Sequence, residues 1–328
     1  MPHPFEQELQ IAIAAVAQAS ILCRNVQTSD AFDSLSKDDK SPVTVADFGS
    51  QAIVCRAIRE AFPTDPVIGE EDADVLREAD QASVAQRVVT EVHQVLPGTT
   101  QAEILDWIDI GGARDAAPRT WTLDPIDGTK GFLRKGQYAV ALGLLIDGVI
   151  EVGAMACPNL KAPNSDLTGW IFSAVRGQGA KAQAIDDPSV CFDISVTENE
   201  NSADACFCES VESGHSNHSQ SAMIAKTLGI SKESVRLDSQ AKYACVARGE
   251  ADIYLRLPTR VGYQEKIWDH AAGVLVIEEA GGKVTDIHGK PLDFTLGSTL
   301  ANNQGVVASN GKFHDQVIAA VQASMQQS

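Results

Sequence analysis

A chain of 328 residues with 44% hydrophobic content has enough material for two domains around a sizeable core, which excludes a disordered or fibrous protein. Its formal charge of −18, from 26 basic against 44 acidic residues, excludes nucleic acid and anionic membrane as partners, since neither polyanion gains by meeting its own sign. A small anionic substrate remains open to it wherever bound cations reverse the sign locally.

The apolar run from Ile11 to Cys23, within a helix expected over Pro4 to Val26, lacks a basic leader and is read as too short to span a bilayer. A polar link leads to Ser41-Pro-Val-Thr-Val-Ala-Asp47, where Asp47 is expected to open a second helix that ends before Pro63. Val67-Ile-Gly-Glu70 reads as a short strand entering an acidic loop, and Ala73 to Arg119 as a helical insertion beside the site. Tyr138 to Ile146 and Val149 to Cys157 are strands joined by Asp147-Gly148, a type I′ hairpin signal. After a strand over Trp170 to Val175 the composition turns polar, placing a domain boundary near Ser195. The expected units are 1–195, an α+β domain with a mainly antiparallel sheet, and 196–328, an α/β domain. In the second unit the expected elements are a helix over Ser219 to Leu228, a strand over Asp252 to Leu257, a helix over Trp268 to Ala280, a strand over Gly305 to Ser309 and a final helix. The seven cysteines are odd in number and form no CxxC pair, which points to reduced thiols and a cytoplasmic protein rather than a disulfide framework.

The chemistry concentrates in Trp121-Thr-Leu-Asp124-Pro-Ile126-Asp127-Gly128-Thr129-Lys130-Gly131. Two carboxylates three residues apart can share divalent cations through hard oxygen ligands, and the N–H groups of Gly128 and Thr129 at a helix start suit an anion. Alone, Asp-x-x-Asp-Gly fits a turn of solvated acids equally well. Asp47, Glu70 and Asp269 change the reading. Five carboxylates in one place repel by about 4 kcal/mol per close pair at an intermediate dielectric, so only cations make the cluster tolerable. An all-oxygen set favours Mg²⁺, with Mn²⁺ as a substitute, over zinc, and a pair of such ions suits in-line attack on a phosphate. The sequence is neither an EF-hand nor a Walker A loop, and Gly177-x-Gly179-x-x-Ala182 lacks the helix that a dinucleotide fingerprint requires. In the second half His215, Ser239, Lys242, Arg256 and Arg260 supply donors that can frame a nucleotide carrying a further phosphate.

Gly69-Glu70-Glu71-Asp72, Asp124-Pro-Ile-Asp127-Gly-Thr129 and Trp268-Asp269-His270-Ala-Ala-Gly273 resemble the three signature blocks of the Mg²⁺-dependent, lithium-sensitive phosphatases of the inositol monophosphatase superfamily. Asp127-Gly-Thr-Lys-Gly-Phe-Leu-Arg134, Val211-Glu-Ser-Gly-His215, Leu237-Asp-Ser-Gln-Ala-Lys-Tyr243 and Tyr254-Leu-Arg-Leu-Pro258 are similar to its branch that acts on nucleoside 3′,5′-bisphosphates. The resemblance implies a sugar-phosphatase α/β sandwich with the site between its two parts. It implies one Mg²⁺ on Glu70, Asp124 and the Ile126 carbonyl, a second on Asp124, Asp127 and Asp269, and a third on Glu70 and Asp47 through water. It further implies a metal-activated water as nucleophile, served by a hydrogen-bonded Thr129–Asp47 pair. Gly128, Thr129, His215, Ser239, Lys242 and Arg256 become substrate contacts. The implied reaction is hydrolysis of 3′-phosphoadenosine 5′-phosphate to AMP, with its sulfated form as second substrate, by a cytoplasmic monomer serving sulfate assimilation and salt tolerance. The alternatives are an inositol polyphosphate 1-phosphatase or inositol monophosphatase, and a regulator that binds without turnover.

Overall fold

The computed structural model describes residues 4–29, 41–163, 166–211, 218–258, 260 and 262–326. Helix α1 (Glu6–Thr28) buries Ala12, Ala15, Val16, Ala19, Leu22, Cys23 and Val26, one stripe at helical spacing. It packs on α2 (Ser41–Ala61), followed by the short strand β1 (Val67–Gly69). Contrary to the expectation, α1 is long enough to cross a membrane: 23 residues, with a mean hydropathy of 1.4 in its most apolar window. Its apolar stripe faces α2 and the sheet instead, which makes it a core helix. A second correction concerns Asp47, which does not open α2 but lies inside it, past the first turn.

The insertion is helical, comprising α3 (Asp74–Arg77), a 3-10 turn at Ala79–Gln81, α4 (Ala82–Val95) and α5 (Gln101–Ile110). Then come β2 (Arg119–Asp127), a one-turn helix α6 (Thr129–Leu133), β3 (Ala139–Ile146), β4 (Val149–Lys161) and β5 (Thr168–Val175). The turn between β3 and β4 has Asp147 at φ 49° and Gly148 at φ 78°, the left-handed pair that an Asp-Gly hairpin needs. Two strands that the sequence reading missed, β6 (Ala180–Ala184) and β7 (Cys191–Ile194), complete a seven-stranded sheet in the order β1-β2-β3-β4-β5-β6-β7. Only β1 and β2 run parallel.

Beyond residue 195 lie β8 (Phe207–Glu209), α7 (His218–Leu228), β9 (Val235–Arg236), α8 (Ala241–Ala247) and β10 (Ile253–Arg256). A 3-10 turn at Ile267–Asp269 leads into α9 (Ala271–Glu279), so Asp269 precedes the regular helix expected to begin with Trp268. The chain ends with β11 (Lys283–Thr285), β12 (Val306–Ser309) and α10 (His314–Met325). The five-stranded sheet β11-β12-β10-β8-β9 is mixed, with β8 parallel to both β9 and β10.

These elements stack as an α/β sandwich of five layers. Helices α1 and α2 cover one face of the large sheet around Phe48, Ile53, Trp121 and Leu142, and α4 and α5 pack on α2. Helices α8 and α9 fill the space between the two sheets, where Tyr243, Leu275, Phe172 and Tyr254 share one core. Helices α7 and α10 close the far side of the small sheet over Phe207, Leu255 and Val307. Along β10 the sides alternate, with Ile253 and Leu255 facing outward and Tyr254 inward, the period of two that puts both faces of the small sheet in contact with helices.

Candidate active site

A cavity of about 360 Å³ opens where the two sheets and the middle helices meet. Strand β2 supplies its floor. In a regular strand residues three apart point to opposite faces, which would separate Asp124 from Asp127. The pairing prevents this: Asp124 opposes Ala141 and Asp127 opposes Ala139, three steps on β2 against two on β3. The extra residue is a bulge at Pro125-Ile126, where proline has no N–H for the ladder, and it brings both carboxylates to one cavity. Gly128 then turns the chain at φ 91°, close enough to the neighbouring turn that a Cβ on it would lie 2.8 Å from the Ser239 Cβ. Thr129 follows, exposed at the head of α6.

Glu70 extends from the end of β1 into the same cavity, and the loop that carries it is pinned by Gln51 of α2. The Gln51 amide donates to the Glu71 carbonyl at 2.8 Å and accepts the Glu71 N–H at 3.0 Å. Ser50 donates to the Pro125 carbonyl at 2.9 Å and fixes the bulge from the same helix. Asp269 reaches in from the 3-10 turn, and Asp47 sits buried on α2 behind Glu70 and Glu71.

The electrostatics record the crowding. Burial raises the Asp124 pKa well above the carboxylate range, and the charges of Glu70, Asp127, Asp269 and Asp47 raise it further. Asp47 is raised by burial and by Glu71 and Glu70. The packing around Glu70, whose side chain keeps access to solvent, and the charges of Asp269, Glu71 and Asp127 lift its pKa to about 8. For Asp269, burial raises the pKa against the opposing pull of Arg256. Five acids from four elements therefore share one field. The buried Asp124 Oδ1 has no hydrogen-bond partner, an arrangement that a hard divalent cation would satisfy.

The rest of the lining brings positive charge up beside the acids. Ser239, at φ 65°, Gln240 and Lys242 come from the turn into α8, and Arg256 from the end of β10. Lys242 is buried, donates to the Ser239 carbonyl at 2.7 Å and stands 5.3 Å over the Tyr254 ring; burial pushes its pKa down. The turn is tied to the acidic wall, since the Gln240 N–H donates to Asp127 Oδ2 at 2.5 Å and the Gln240 side chain donates to the Trp268 carbonyl at 3.0 Å.

Of the residues expected in the site, Glu70, Asp124, Ile126, Asp127, Gly128, Thr129, Ser239, Lys242, Arg256 and Asp269 line this cavity, with Asp47 behind it. His215 lies outside the described residues. One expectation is corrected. No hydrogen bond joins Thr129 to Asp47: the buried acid faces the Glu70–Glu71 loop, and the hydroxyl stands at the exposed head of α6. Arg256, expected among the substrate contacts, lines the cavity and is also engaged by Glu265 at 2.7 Å and Asp269 at 3.2 Å. Sequence reasoning passed over Ser210, Asp238, Gln240 and Tyr263 in the lining. Asp238 and Gln240 stand within the Leu237–Tyr243 block that carried the resemblance, so their neighbours were the available signal.

Residues 5–326 match the inositol monophosphatase family as a whole. The chain belongs to the inositol monophosphatase family. It is 48% identical to a 3′(2′),5′-bisphosphate nucleotidase of Emericella nidulans, covering 97% of this chain and 98% of that protein. A 3′(2′),5′-bisphosphate nucleotidase of Schizosaccharomyces pombe is 45% identical, with 97% and 96% covered, and one of Oryza sativa 40% identical, with 99% and 96% covered. Among solved structures, the Thermotoga maritima inositol monophosphatase shares the fold at a TM-score of 0.65 and 20% identity, covering 98% of this chain and 99% of that one. Enzymes of this family are metal-dependent phosphatases that generally use Mg²⁺, and the carboxylate cluster with its unpartnered Asp124 oxygen fits such an ion.

Proposed function

We propose that this chain is a phosphatase that removes the 3′-phosphate of 3′-phosphoadenosine 5′-phosphate to give AMP and phosphate, and that it takes the 5′-phosphosulfate as a second substrate. One observation carries the reading: a single cavity is lined by the carboxylates Glu70, Asp124, Asp127 and Asp269, backed by Asp47, and next to them by the Ser239–Lys242–Arg256 group. A monophosphate ester needs only the acids. A substrate with phosphates at two positions uses both groups, which is also what the names of the fungal and plant relatives describe.

Glu70, Asp124, Asp127 and Asp269, with the Ile126 carbonyl, would hold two Mg²⁺ ions, and Asp47 with Glu70 a third; Mn²⁺ would substitute. When bound, the ions supply charge neutralisation for the phosphoryl oxygens and lower the pKa of water near them. The chain's own groups do the rest. The Gly128 and Thr129 N–H groups at the head of α6 face the transferred phosphate. The Thr129 hydroxyl at the head of α6 orients the attacking water, and Asp47 serves as the buried acceptor of its proton. Lys242, Ser239 and Arg256 bind the 5′-phosphate and so align the 3′-ester with the acids.

In this reading residues 1–195 form the metal-binding part and 196–328 complete the metal and nucleotide sites. The enzyme works as a cytoplasmic monomer on a small nucleotide, without nucleic acid or membrane partners, and clears a by-product of sulfate assimilation in a way that bears on salt tolerance. The deciding experiment compares turnover of 3′-phosphoadenosine 5′-phosphate with that of inositol 1,4-bisphosphate in Mg²⁺. Preference for the nucleotide is expected; equal or faster inositol hydrolysis would reject the assignment, and phosphate release at background on both would favour a binding protein.

A further inference from the structure

Arg256 is held between two carboxylates with different surroundings. Its Nε donates to Glu265 Oε2 at 2.7 Å, and its Nη2 to Asp269 Oδ2 at 3.2 Å. Asp269 lines the cavity, whereas Glu265 is only 5% exposed and does not. Glu265 Oε2 also meets His270 Nε2 at 3.2 Å, and His270 Nδ1 meets the Tyr243 hydroxyl at 2.7 Å. The ligand atoms of Glu265, Asp269 and His270 lie within 4.8 Å of one another, the spacing of a metal site. The guanidinium already occupies that space with two charge-assisted bonds, and both imidazole nitrogens are engaged. The trio is therefore a socket for an arginine.

A guanidinium pairs most strongly with a carboxylate through two parallel N–H···O bonds. Arg256 stands one such bond away from closing on Asp269, and closure would withdraw from the cavity an oxygen donor needed by a cation. What opposes closure is the shorter bond at Nε, anchored by a buried acid that His270 and Tyr243 fix from behind. We infer that Glu265 is a positioning residue: it restrains Arg256 from pairing fully with Asp269, leaving Asp269 available to the metal ion. This rests on the proposed function for the employment of Asp269 and Arg256, but it concerns metal affinity in the absence of any nucleotide.

The test is calorimetric titration of Mg²⁺ into the metal-stripped full chain, comparing wild type, Glu265→Gln, Glu265→Asp, Arg256→Gln and the double variant Glu265→Gln/Arg256→Gln, with near-UV circular dichroism to establish folding. Glu265→Gln keeps the shape and removes the charge, and should weaken Mg²⁺ binding about tenfold, a typical coupling between interacting sites. Glu265→Asp, which retains the charge, should lose about threefold or less. Removing Arg256 removes the competitor, so the double variant should return to within about threefold of wild type, the non-additivity expected of groups in contact. A merely structural role for Glu265 predicts the reverse, a double variant at least as impaired as the single. Unchanged affinity in Glu265→Gln, or a double variant no better than it, overturns the inference alone. Should Glu265→Gln not fold, Arg256→Gln decides: it must bind Mg²⁺ at least as tightly as wild type, and weaker binding overturns the inference. A wild-type chain that binds no Mg²⁺ would instead overturn the functional reading on which it rests.

Discussion

Asp47 is 7% exposed on α2 and faces the acids Glu71 and Glu70, which together with burial raise its pKa. Replacing it by Asn removes a charge that the metal-free fold holds at a cost, while the neutral amide keeps its volume. The thermal midpoint of Asp47→Asn in chelator should therefore equal or exceed that of wild type. Its kcat should fall by about 10²–10⁴, the range of a lost general base, and an unchanged kcat would remove Asp47 from the mechanism. Glu70 gives a second test through pH. Its folded pKa of about 8 lies above the ordinary carboxylate value, so the folded metal-free chain binds a proton that the unfolded chain has released. That contribution is present below the unfolded pKa and is lost as pH rises towards 8. Melting in chelator should thus show stability falling between about pH 5 and 8, and saturating Mg²⁺ should flatten the slope. At this scale the acids were legible because their blocks are local in sequence. The bulge that turns Asp124 and Asp127 to one side was not, because it exists only in the pairing with β3.

Two turns show how elements deliver these residues. Gly128 and Ser239 both have positive φ, and they face each other across the join between β2 and the turn into α8. Gly128→Ala would impose left-handed strain of about 1–2 kcal/mol and press a methyl group against the Ser239 Cβ. The expected result is a lower melting temperature together with a drop in kcat/KM, since the displaced turn carries Lys242 and the Gln240 N–H that holds Asp127. The second turn is Gly177–Gly179 between β5 and β6, whose sequence imitates a nucleotide loop. Its three successive N–H groups close on the Glu279 carboxylate at 2.7, 3.0 and 2.8 Å, fastening the end of α9 to the large sheet. Glu279→Ala should lower stability by about 1 kcal/mol in denaturant melts without changing kcat. The elements that were read correctly include α1, β3, β4 and β5, which have a long apolar pattern, and the short strands β1, β10 and β12 as well. Strands β6, β7, β8, β9 and β11 have five residues or fewer, too few for alternation to stand out by itself, and the nine residues of β2 were read as an acidic motif rather than a strand. Helix α8 escaped for the opposite reason: all seven of its residues are buried, so it shows no polar face against which to see a period.

On the scale of the whole molecule, a net charge of −18 repels the anionic substrates proposed for it. At fixed Mg²⁺, kcat/KM should therefore rise as inert salt is raised from low ionic strength towards about 0.15 M, where the Debye length is about 8 Å; a fall across that range would mean that local attraction at the basic wall outweighs the global field. Composition made a globular protein legible and the order of elements its α/β class, and the sequence reading divided the chain at residue 195. The stacking of five layers was hidden from it, because nothing along the chain states that helices from the second part pack on the sheet of the first.

That middle layer has a practical consequence. Helices α8 and α9 present apolar side chains to both sheets, so severing the chain between residues 195 and 201 leaves the upstream piece with one bare sheet face and the downstream piece with an uncovered helical slab. Neither piece expressed alone can hide that surface from water. Produced in the same cell, the two have every reason to find one another and rebuild the hydrolase as a split enzyme whose output reports their reunion.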